Sequence, residues 1–110
     1  MGLATAAARV QLLISQKNDL ENKILLVAQS ESTLSQFNSD LLQAGNDFTD
    51  PNSPVLKELN ARQQRIHVLE KRLEMQKSQY QARLKAVETE LESAKQMAQK
   101  QIESTFRYAA

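Results

Sequence analysis

The chain of 110 residues interrupts its helix-forming composition at one place. Both prolines, Pro51 and Pro54, and one of the two glycines, Gly45, lie in the stretch "GNDFTDPNSP", and from Val55 to Ala110 neither residue type occurs. Inside a helix, Gly is about 1 and Pro about 3 kcal/mol less favourable than Ala. A chain that gathers them at a single corner is restricted to two long helices joined there. Gln, Ala, Leu, Glu, Lys and Ser dominate the rest, and aromatic residues make up only 5%. That composition suits long helices better than a layered core.

Before the corner, apolar or small residues recur as Leu3, Ala6, Val10, Leu13, Leu20, Ile24, Val27, Leu34, Phe37 and Leu41, with Lys17 and Glu31 in the two skipped places. Steps of three and four put all of these on one side of a helix. After the corner the pattern resumes with Leu59, Ile66, Leu69, Leu73, Tyr80, Leu84, Val87, Leu91, Ala94, Ala98 and Ile102. The expected fold class is all-α: helix one over about residues 3–44, a loop over 45–53, and helix two over about 54–106. The two seamed helices fold back as one antiparallel helical hairpin or coiled coil over residues 1–110. Polar residues at seam places fix register and oligomeric state at some cost in stability, which is the role expected of Lys17 and Glu31.

The corner has its own chemistry. Gly45 stands where a left-handed residue would close helix one. Ser53 is placed to cap helix two, and Pro54 occupies its first position, where a missing N–H costs nothing. Pro51, Asn52, Ser53 and Pro54 therefore make the interhelical turn, and the two prolines also restrict the unfolded chain.

A two-helix hairpin needs one apolar stripe per helix, yet a second set is present. Val68, Met75, Ala82, Ala86 and Met97 gather on a side of helix two away from its seam, and Ile14 and Leu25 lie off the seam of helix one. Helix two also outruns helix one, so Ile102, Phe106 and Tyr108 are expected to stand exposed at its end. Aligned surplus apolar surface calls for further subunits, and the hairpin is expected within a larger helical assembly.

Signals for chemistry are few. The chain has no cysteine, so disulfides and thiolate zinc sites are excluded. His67 is the only histidine and is read as a solvated side chain. Glu88, Glu90 and Glu92 splay around the helix and do not converge on a metal. No catalytic residue, metal site or cofactor is expected, and an enzyme is not expected. The formal net charge is +1, divided as three basic and six acidic residues over 1–50 against eleven and seven over 51–110. So balanced a chain, with few aromatics to stack on bases, is not expected to bind nucleic acid. No apolar run reaches the ~18 residues of a membrane span, and the first ten residues lack the charged start of a secretory signal. Thirteen glutamines, many away from the seams, leave neutral polar faces.

The corner Pro51-Asn52-Ser53-Pro54, the leucines Leu56 and Leu59 that follow it, and the terminal Ile102 with Phe106-Arg107 resemble the needle subunits of bacterial type III secretion systems. The resemblance implies a small helical hairpin that polymerises with itself into a hollow tube, displayed at the cell surface and held unpolymerised in the cytoplasm by a chaperone. Carried over by position, Ile102, Phe106 and Arg107 would make axial contacts between subunits. Gln96, Gln99 and Gln101 would face the channel, and Val68, Met75 and Met97 would meet neighbouring subunits. The chain is longer than typical needle subunits and lacks their frequent N-terminal tryptophan. The alternative is a cytoplasmic coiled-coil adaptor or chaperone of an export apparatus, which predicts a discrete complex in place of a polymer.

Overall fold

The computed structural model describes residues 2–48 and 50–109, without the side chains of residues 108 and 109. The expectation for Tyr108 therefore lies outside the described side chains. The fold is all-α and consists of two long helices, α1 (Leu3–Asn46) and α2 (Pro54–Ala109), paired antiparallel. Packing divides the chain into two compact units, one of Met1–Ile24 with Gln79–Ala110 and one of Leu25–Ser78.

In the first unit the inward positions are Ala6, Val10, Leu13, Lys17, Leu20 and Ile24 on α1, and Tyr80, Leu84, Val87, Leu91, Ala94, Ala98 and Gln101 on α2. Leu13, Leu91 and Ala94 form its buried centre, with Val10 and Val87 packed against them. In the second unit they are Val27, Glu31, Leu34, Asn38, Leu41 and Gly45 on α1, and Leu56, Leu59, Gln63, Ile66, Glu70, Leu73 and Lys77 on α2. Every step in these series is three or four in strict alternation. This is the seven-residue repeat by which two helices keep one contact line.

Four residues of the expected seam are exposed: Leu3 at the start of α1, at 38%, and three whose places the regular repeat gives to a neighbour. Phe37, Leu69 and Ile102, the last also expected to be exposed at the end of helix two, are 56%, 43% and 41% exposed, and the inward places beside them go to Asn38, Glu70 and Gln101. Each expected residue is the more apolar neighbour of the residue that faces in. Moving a helix by one residue to bury it would turn every other inward residue away by about 100°, so the repeat holds and the apolar side chain stays outside. Lys17 and Glu31 do occupy the seam, half-buried.

The corner differs from expectation in one detail. Helix α1 continues through Gly45 to Asn46, and no described glycine has positive φ. The helix closes by short-range bonds instead: Asp47 N donates to Ala44 O at 3.4 Å and Phe48 N to Gly45 O at 3.2 Å. Gly45 takes an inward position, with Leu56 as its nearest neighbour across the pair. The restart keeps the expected positions, with Ser53 just before Pro54 at the first place of α2, while the bonds that shape it come from Asp50 and from the Ser53 backbone. Asp50 O accepts from Ser53 N at 3.1 Å, and its Oδ1 accepts from Asn52 N at 3.0 Å, making a turn with Pro51 at its second position. Ser53 O then accepts from Lys57 N at 3.1 Å, the first bond of α2.

Candidate assembly surfaces

Along each helix, exposed pairs four residues apart support the backbone. Asp19 and Lys23 approach to 3.0 Å and Glu58 and Arg62 to 2.9 Å, both with the acid nearer the N-terminus, the favourable order. Thr33, Thr89 and Thr105 each return their hydroxyl to the carbonyl four residues back. These groups are satisfied within their own helix, so the outward faces are defined by what remains.

What remains is largely apolar. Among the described residues six hydrophobic side chains are buried, Leu13, Leu20, Val27, Ile66, Leu91 and Ala94, while fifteen large ones are exposed. A helix pair with so narrow a core leaves many large apolar side chains outside it, several of them grouped in grooves and on faces.

In the Leu25–Ser78 unit, Leu26, Leu34, Leu69 and Leu73 line a groove between the helices, with Arg72 and Gln76 at its edge. Phe37 and Leu41 line another with Ile66, Arg62 and Arg65. On the outer side of α2, Ala61, Val68 and Leu69 form a shallow apolar floor beside Gln64, Arg65 and Arg72. Met75, seven residues beyond Val68, continues this face and is 64% exposed. Val68 and Met75 are thus exposed on one face of α2, beside arginines that apolar periodicity alone does not single out. The signal was available in the spacing, because Arg65 and Arg72 are also seven residues apart.

In the other unit, Leu3, Ala7 and Val10 meet Ala98, Gln99 and Ile102 across a groove. Helix α1 therefore reaches as far as Ile102, which is only partly uncovered, and the overhang of α2 begins after it. Phe106 is 72% exposed. Arg107 lies beside Lys100, Glu103 and Ser104. Met97 is exposed, as are Gln96 and Gln99, but Gln101 is half-buried on the seam and does not share their face. The structure thus brings Gln96 and Gln99 to the surface and separates Gln101 from them.

His67 is exposed, with Nδ1 3.7 Å from Glu70 Oε2. Among the described residues no group of three His, Asp or Glu side chains is placed to hold a metal ion, and no helix is long and apolar enough to cross a membrane. No family model, curated protein or solved structure matches the chain.

Proposed function

We propose that the protein is a self-assembling subunit of a helical filament or hollow tube, of the kind that type III secretion needles exemplify. The observation that supports this reading most directly is the number of large apolar side chains left exposed on both helices, among them Val68, Met75 and Met97 on one face of α2. In a lone helix pair that surface is wet. In a polymer it becomes the contact between subunits, which explains why its apolar residues recur at helical spacing. The overhang with Phe106 and Arg107 supplies an end-to-end contact, and Gln96 and Gln99 supply neutral polar surface for a lumen. On this reading the polymer stands outside the cell, and a cytoplasmic chaperone covers the same apolar faces before export.

The leucine-lined groove of the Leu25–Ser78 unit favours one alternative, a cytoplasmic adaptor that receives a partner helix there. Truncation after Gln101 separates the two readings. It leaves every inward residue in place and removes Ile102, Phe106 and Arg107, so circular dichroism is expected to stay helical while sedimentation lacks the large species expected of the full chain. If the truncated and full chains sediment alike as small discrete complexes, the polymer reading fails and the adaptor reading takes its place.

A further inference from the structure

We infer that the outer face of α2 around Val68 docks onto a second copy of this chain, at the acidic segment Glu88–Glu92. The inference rests on the polymer reading for its head-to-tail arrangement and deepens it by naming both surfaces. On the docking face, Val68, Leu69 and Met75 are 52%, 43% and 64% exposed, and Arg65 and Arg72 border them. Seven residues apart, the two arginines stand one above the other about 10.5 Å apart along the helix. Neither has a carboxylate within ion-pair reach among the described residues, in contrast to Arg62, which is held by Glu58.

The occupant follows from charge and size. Glu88, Glu90 and Glu92 are exposed and, among the described residues, form no ion pair. The like charges at 88 and 92 oppose one another four residues apart, a cost that arginines from outside remove. Between Glu90 and Glu92 around the helix run the exposed small residues Ala82, Ala86 and Ser93, a floor that admits larger side chains. Thr89 joins this floor with its hydroxyl already given to Lys85 O at 3.0 Å. Bulky apolar residues flanked by Arg65 and Arg72 thus meet a small-residue surface with Glu90 on one edge and Glu92, next to Lys85, on the other. Two such surfaces on one chain can pair reciprocally in a closed two-fold dimer or head to tail in an open polymer, and the polymer reading takes the head-to-tail form, in which each copy keeps one surface free.

The test is a charge swap on the full chain, read by light scattering at low and high salt with circular dichroism as the folding control. Arg65→Glu with Arg72→Glu, and separately Glu90→Arg with Glu92→Arg, are each expected to weaken self-association about tenfold or more, because like charges then face each other. All four changes in one chain, or a mixture of the two variants, are expected to restore it. Association unchanged in either double variant overturns the inference and leaves the polymer reading intact. So does a four-fold variant that stays helical but dissociated. Rescue in the form of a closed dimer supports the docking and sinks the polymer, whereas a wild-type chain monomeric at every concentration overturns both.

Discussion

Glu31 on α1 and Lys77 on α2 approach to 3.6 Å, Oε1 to Nζ, and form the one ion pair between the two helices among the described residues. The others join residues three or four apart on one helix. Both partners occupy inward positions, and Glu31 Oε1 has no hydrogen-bond donor within reach. The pair is thus a charge contact without a full hydrogen bond, flanked along the seam by Val27, Leu34 and Leu73. Its worth lies in register more than in stability, since sliding one helix by a turn would leave each charge against apolar neighbours.

A double-mutant cycle on Glu31→Leu and Lys77→Leu is expected to give a coupling of about 0.5–1 kcal/mol, reduced in 1 M salt by screening. The double leucine variant should unfold at higher urea than either single variant. No coupling at low salt would remove the pair from the account of register.

Asn38 presents a related case with a larger expected effect. Its Oδ1 is buried without a partner, at a seam place between Leu34 and Leu41. Asn38→Leu is expected to raise stability by about 1–3 kcal/mol, the cost of an unsatisfied buried polar group. Lys17→Leu, in the other unit, should raise thermal stability and broaden the range of assemblies formed. Assembly products indistinguishable from wild type in both variants would show that these polar places do not control specificity.

Gly45 lies inside α1, and a Cβ added there would meet Leu56 Cδ1 at 4.0 Å, an ordinary contact distance. Gly45→Ala is therefore expected to stabilise by about 0.5–1 kcal/mol through helix propensity and a stiffer unfolded chain. A destabilised variant in denaturant titration would mean that the residue adopts a non-helical conformation in solution.

The two units should differ in protection. Leu13, Leu20, Leu91 and Ala94 are buried in one, against Val27 and Ile66 in the other, whose seam also carries Glu31, Asn38, Gln63, Glu70 and Lys77. Amides within residues 25–78 are expected to exchange faster than those within 6–24 and 80–101, because local opening follows local apolar burial. Uniform exchange would show that the helix pair opens only as a whole.

The corner and most of the seam could be read from the sequence, because helix breakers and three-four spacing act locally and leave few alternatives. The exceptions at Phe37, Leu69 and Ile102 have a common origin. Reading apolar residues one by one favours the greasier neighbour, whereas the paired helices preserve a repeat and accept Asn38, Glu70 and Gln101 inside. Gly45 departs from the left-handed terminus expected of it because a glycine near a helix end can equally continue the helix, as it does here to Asn46 without positive φ. Val68 and Met75 were legible as surplus apolar surface. The arginines beside them were not, since charged residues on a helix surface are ordinary until their spacing is set against an apolar face.

Negative-stain electron microscopy of the purified full chain over a range of concentrations, with light scattering on the same samples, tests the central claim most directly. The account predicts uniform filaments with a visible lumen, appearing above a threshold concentration. A monomer or dimer that persists unchanged at every concentration, with no filaments, would contradict it.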